Sequence, residues 1–213
     1  MHRSVIVLAA IGLPATAALA GGDGDIAIAL RGGQIITGIG DHDFYPNDRE
    51  FPERVFGADF ENLGGGNIVG EEPGWLGPFA DIDPLNDPFP TAATLGFDIL
   101  DRLLVWNGAS TVAGGDFGDT TNTMRIFDTS PGSPEVFTPA TTETVEGFTV
   151  VADTSDGIGF DEHPFYQLVN DEPGVFLLNV RITTNDPDTP EIIVPLTGIG
   201  VDFTSCTMLP TLR

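Results

Sequence analysis

The chain has no lysine and one cysteine, and each scarcity removes a class of explanation. Cys206 alone cannot close an internal disulfide, so stability must come from burial rather than from covalent staples. It is expected to be a half-buried small residue near the C-terminus, with an intermolecular bridge as the alternative. It also stands far from the place a lipoprotein anchor takes. Cations are few: 8 arginines face 32 aspartates and glutamates, a formal net charge of −24 over 213 residues. So acidic a surface repels phosphate, which excludes nucleic acid and anionic membranes as partners. After the first twenty residues no apolar run approaches the ~18 residues of a membrane helix, so no membrane span is expected. G-x-S-x-G, H-E-x-x-H, a phosphate-cradling glycine loop and a Cys–His pair are all missing. On that ground a non-enzymatic role is expected.

What is present begins with a leader. Met1-His2-Arg3 is a short basic start, Val5–Ile11 opens an apolar run, Pro14 breaks it, and Ala18-Leu19-Ala20 precedes Gly21. A positive head, an apolar centre and A-x-A describe a secretory signal peptide over residues 1–20. The chain is therefore expected in the periplasm, at the cell surface or outside the cell. Residues 21–213 are long enough for a single β domain with a real core. The dense carboxylates fit a solvation shell in salty water, divalent-cation binding, or plain solubility, and solubility is the simplest of these.

Glycine and proline, 27 and 17 of them, punctuate nearly the whole sequence, and β-branched and aromatic residues fill the gaps. Strands are predicted at Asp25–Arg31, Gly33–Gly38, Arg54–Glu61, Ala93–Asp98, Arg102–Trp106, Thr123–Asp128, Glu146–Ala152, Phe160–Val169, Gly174–Thr184 and Glu191–Gly198. Alternation is clearest in Thr123–Phe127 and Val175–Ile182, where polar residues interleave apolar ones with period two. Phe97, Leu100 and Leu104 share a helical face. Even so, Val105-Trp106 before Asn107-Gly108 favours a strand entering a tight turn. Short strands joined by turns predict an all-β fold, an antiparallel β-sandwich or jelly roll. Residues 61–90, with three glycines in a row and three proline turns, read as one long loop anchored by Trp75, Leu76, Phe79 and Phe89.

Two histidines follow the leader, in similar settings: Asp41-His42-Asp43-Phe44-Tyr45 and Glu162-His163-Pro164-Phe165-Tyr166. Side by side, His42 and His163 with Asp41, Asp43 or Glu162 would offer the imidazole and carboxylate donors that Zn²⁺ and Cu²⁺ take. The bland alternative makes each Phe-Tyr pair a strand's inward anchor and each histidine its exposed neighbour. Ca²⁺ is the other candidate, at Asp23-Gly24-Asp25, at Asp81-Ile82-Asp83 with Asp87, or at Asp153 with Asp156-Gly157. None of these completes a defined calcium loop, and the same residues build ordinary turns. A hydrolase using carboxylates around Asp161 and Glu162 is a third possibility, although among 32 acids some pair always looks suitable.

Two resemblances add to this reading. The run Gly174–Gly200 has one strand ending in Thr183-Thr184-Asn185-Asp186-Pro187 and a partner ending in Pro195-Leu196-Thr197-Gly198-Ile199-Gly200. It resembles the last hairpin of immunoglobulin-like repeats in bacterial surface proteins, which implies a hairpin and no site. More loosely, the chain resembles secreted all-β bacterial proteins of unknown role that are common in planctomycetes. The matching pieces are Asp25-Ile26-Ala27, Glu72-Pro73-Gly74, Leu104–Gly108 and Gly157–His163. That class often carries a histidine at its mature start and an H-x-H pair, where this chain has Gly21 and His163 alone. Its sorting tail of P-E-P, an apolar stretch and arginines has no counterpart in Thr207–Arg213, so sorting by that route is not expected. Together these readings predict a secreted β-sandwich with a structural, adhesive or ligand-binding role, its partner a protein, a polysaccharide or a small ligand. Metal binding is the first alternative and carboxylate hydrolysis the second.

Overall fold

The computed structural model describes residues 25–40, 56, 58–62, 68–77, 87–90, 92–107, 117–130, 132–154, 159–169, 174–186, 188–189 and 192–201. The leader at 1–20, Cys206, and the Asp41-His42-Asp43 segment lie outside them. Among the described residues there is no helix, and hence none long and apolar enough to cross a membrane. The expected all-β, largely antiparallel architecture is observed.

Among the described residues fifteen strands form two sheets. The smaller contains β1 (Asp25–Arg31), β2 (Gln34–Gly40), β5 (Trp75–Leu76) and β12 (Asp161–Glu162), in the order β12-β5-β1-β2. The larger runs β10-β9-β13-β4-β3-β15-β14-β6-β11, with β7 (Leu104–Trp106) on β14 and β8 (Phe117–Asp119) on β7. Its members are β3 (Ala58–Asn62), β4 (Ile68–Gly70), β6 (Leu95–Ile99), β9 (Thr123–Phe127), β10 (Glu135–Phe137), β11 (Val145–Val151), β13 (Phe165–Val169), β14 (Val175–Thr184) and β15 (Ile192–Val201). Two pairings are parallel, β1 with β5 and β3 with β15; the second joins the two halves of the larger sheet.

β1 is apolar from Ile26 to Leu30 and buried on both faces, as a strand covered on both sides should be. It turns into β2 through Gly32 and Gly33, at φ 58° and 72°. Both centres of this two-residue turn are left-handed, which suits glycine and matches the twist of the strands. β9 and β14 show the period two read from sequence, and β13 shows it too, with every second residue buried. Ile26, Ile28, Trp75, Phe97, Met124, Leu168 and Leu178 belong to one continuous core. The edge-on contact of Trp75 and Phe97, centroids 6.3 Å apart, ties the smaller sheet to the larger.

Three expectations are corrected in detail. The stretch read as loop from 61 to 90 carries β4 and β5; Trp75 and Leu76, read as its anchors, are buried core residues of β5, and Phe79 lies outside the described residues. The segment at Phe160–Val169 is two strands, β12 and β13, divided at His163-Pro164, since proline supplies no donor to the ladder. β7 meets its partner β8 only after residues 107–116, not across a two-residue turn at Asn107-Gly108. The C-terminal hairpin is observed, with Ile182 opposite Ile192 and Val175 opposite Gly200.

Candidate metal centre

Three strands of the smaller sheet bring their ends together at one point. β5 lies between β1 and β12, with Ile26 opposite Trp75 and Glu162 opposite Trp75 from the other side. Asp25 opens β1, Glu72-Pro73-Gly74 leads into β5, and His163 leaves β12. The Ile26 N–H donates to the Gly74 carbonyl at 2.8 Å, which locks the lead-in against the head of β1. Below it, the buried Tyr166 hydroxyl donates to the Pro73 carbonyl at 3.2 Å. Burial pushes the Tyr166 pKa well up, so this hydroxyl stays a donor.

Asp25, Asp161 and His163 each offer a ligand atom there, and these atoms all lie within 4.8 Å of one another. His163 Nε2 stands 2.9 Å from Asp161 Oδ1, and Nδ1 stands 3.3 Å from the Glu71 carbonyl and 3.5 Å from Glu72 Oε1. Glu72 is fixed in turn, its Oε2 accepting from the Gly74 N–H at 2.9 Å. Gly74 makes the approach possible. A Cβ at that position would sit 2.5 Å from Asp25 Oδ1 and 2.5 Å from His163 Cε1.

The electrostatics are those of acids crowded around one imidazole. Asp25 is only 2% exposed, and its Oδ1 has no hydrogen-bond partner. Burial first, then a proton shared with Glu72 and that residue's charge, push the Asp25 pKa up from 3.8 to about 7. Burial alone would lower the His163 pKa. The carboxylates of Asp25, Glu72 and Asp161 outweigh it and raise the pKa above its usual 6.5. Without another cation, the imidazolium is the positive charge this cluster gathers around.

Of the residues singled out from sequence, His163 is in the cluster, while His42, Asp41 and Asp43 lie outside the described residues. Glu162 is not among the grouped ligands. Side chains alternate along a strand, so Asp161 and Glu162 leave β12 on opposite faces; burial first, then the charges of Asp161 and Asp128, push the Glu162 pKa up. The two therefore form no facing carboxylate pair. Asp25, read as part of a calcium turn, is instead the buried member of this cluster. Asp87 closes the β1–β2 turn, its N–H donating to Leu30 O at 2.7 Å and its Oδ2 accepting from Gly33 N at 3.3 Å. Asp23, Asp81, Asp83 and Asp156 lie outside the described residues. Glu72 was not foreseen as a site residue. A carboxylate followed by Pro-Gly before a buried tryptophan was its only local signal.

Comparison with protein-family models, with curated proteins and with solved structures finds no match to this chain.

Proposed function

We propose that this chain is an exported, non-enzymatic β protein that binds a divalent metal ion through Asp25, Asp161 and His163, with Glu72 beside them. One observation carries the reading: Asp25 is buried with an unpartnered carboxylate oxygen turned toward an imidazole and a second carboxylate. Burying a carboxylate is expensive even where one oxygen shares a proton with Glu72, and a cation among these donors would offset that cost. The donor set selects the metal class. Ca²⁺ takes oxygens only, whereas Zn²⁺ accepts imidazole nitrogen together with carboxylate oxygen. Cu²⁺ takes the same donors and stands above Zn²⁺ in the affinity order, so it is the natural competitor. Export is supported by the basic start, apolar run and A-x-A of residues 1–20. A binding role in place of catalysis is supported by the missing nucleophile and phosphate motifs.

Binding here is an exchange of protons for metal. Both Asp25 and His163 must give up protons they hold near neutrality, so affinity rises with pH through about 7. The test is elemental analysis of the chain purified without chelator, followed by zinc titration of chelator-stripped protein at pH 7.5. Near-stoichiometric zinc or copper, with a metal-induced rise in Tm that His163→Ala abolishes, is the expected outcome. No bound metal and no shift of Tm on adding zinc would sink the proposal.

A further inference from the structure

The outer side of the smaller sheet is held by very little backbone. β5 and β12 have two residues each, against about five or six in an ordinary strand. β12 meets β5 only through Asp161 opposite Leu76 and Glu162 opposite Trp75. β5 meets β1 only through Trp75 opposite Ile26 and Leu76 opposite Ala27, in the parallel sense that is weaker per residue. β12 also brings no apolar burial, since both its residues are exposed. Firmer anchors flank it. Phe160 is buried, accepts from the Gly77 N–H at 2.7 Å and packs on Phe89 with centroids 6.4 Å apart. Beyond Pro164, β13 is laddered to β9 along its whole length. Between these anchors His163 holds on through Asp161, Glu72 and the Glu71 carbonyl, polar contacts all.

The donors of the metal cluster come from all three of these strands. Asp25 heads β1, Glu72 precedes β5, and Asp161 and His163 belong to β12 and its exit. An ion among them ties β1, β5 and β12 together where their ladders are shortest. Counting Glu72, the protein's own donors match in number those of a closed structural zinc site, with no position left for a substrate. Asp25 and His163 are far apart in sequence, and a cross-link that closes a long loop restrains the unfolded chain most. With a single cysteine, the chain has no internal disulfide to do this. What the ion would guard is Trp75, 2% exposed, whose backbone is covered on one side by β12.

We infer that the ion is a structural staple that controls local opening of this sheet. With it, β12 and the lead-in to β5 stay docked; without it, they open while the larger sheet holds. The inference rests on the metal reading and adds to it what the ion does. The test is hydrogen exchange of the full chain at pH 7.5, zinc-loaded and chelator-stripped, with bound zinc measured in the same samples. On stripping, residues 72–77 and 159–163 are expected to exchange about tenfold faster, at times when β6 and β14 remain protected in both forms. A second readout uses Trp75 itself, one of two tryptophans. Trp106 Nε1 has no hydrogen-bond partner, so Trp106→Phe breaks no bond and leaves Trp75 as the reporter. Acrylamide quenching of that variant is expected to rise about twofold when zinc is removed, and to ignore zinc once His163→Ala is added. Zinc bound with no change in exchange at 72–77 and 159–163 overturns the staple and leaves the metal site standing. Opening of β6 and β14 together with those segments also overturns it, since the ion would then bear on the whole fold. No zinc bound removes the metal reading, and the staple with it.

Discussion

Two aspartates, one in each sheet, are placed alike and partnered differently. Asp25 at the head of β1 is 2% exposed and Asp98 in the middle of β6 is 9% exposed. Asp98 faces Arg181 across one strand pair, a guanidinium that stays charged at any working pH. Asp25 faces two further carboxylates and an imidazole that can lose its charge. A buried acid with a permanent cation is a finished structural element. One whose only neighbouring cation titrates depends on pH for its charge balance, and on the proposed reading this difference separates scaffold from site in a chain with so many acids.

The sharpest way to break the comparison is the same substitution at both places. In metal-free protein at pH 8, Asp25→Asn is expected to raise stability, because it removes a charge the fold holds at a loss. A shift from 3.8 to about 7 corresponds to an upper value of about 4 kcal/mol, and about 2–4 is expected in urea unfolding. Asp98→Asn should instead cost about 1–3 kcal/mol, since it removes the carboxylate charge paired with the half-buried Arg181. The pH dependence has a definite sign. Between about pH 4 and 7 the unfolded chain releases the Asp25 proton while the folded chain keeps it, so metal-free stability falls as pH rises. His163 adds to this fall: its raised pKa gives stability that is complete below 6.5 and lost as pH climbs through the folded value. If Asp25→Asn destabilises at pH 8, or the unfolding curves do not move with pH, the two aspartates are not different in kind.

Metal sharpens the contrast next. With zinc at a hundred times its dissociation constant, a ligand that binds only the folded state adds about 2.7 kcal/mol. That gain should be present and equal in the parent and in Asp98→Asn, and absent in His163→Ala. At one fixed zinc concentration it should also grow from pH 6 to pH 8, because the affinity rises as the cluster gives up its protons. Thermal scans with and without zinc decide it.

Much of the scaffold was readable and the site mostly was not. β1, β9, β13, β14 and β15 declared themselves because runs of five or more residues show period two or an unbroken apolar core. β4, β5, β8 and β10 have two or three residues each, too few for any period to register. The cluster depends on one of these. Asp25 meets His163 only because β5 pairs with β1 on one side and β12 on the other, contacts between residues far apart in sequence. His163 was visible as a histidine among acids. Asp25 looked like a turn residue, and Glu72 gave almost nothing. An aspartate heading the apolar run Ile26–Leu30 was the overlooked sign, for a strand buried on both faces has no reason to start on a charge unless something receives it.

The smallest effect tests the geometry rather than the charge. Gly74→Ala leaves every titrating group in place but puts a methyl 2.5 Å from both Asp25 Oδ1 and His163 Cε1. Of the two neighbours, Asp25 is the less able to yield. Asp25 heads a strand whose Ile26 N–H is bonded to Gly74 itself, and His163 is held by Asp161 at 2.9 Å. Overpacking of this kind costs about 1–3 kcal/mol, toward the lower figure here because His163 is partly exposed and the imidazole can swing outward. The consequence for metal should be disproportionate. A swing that relieves the clash carries the imidazole away from the two carboxylates, so zinc binding should be lost while the fold persists. A Gly74→Ala protein that binds zinc like the parent would mean that Asp25 and His163 do not act on the same ion, and Asp25 would return to being an uncomfortably buried acid like any other.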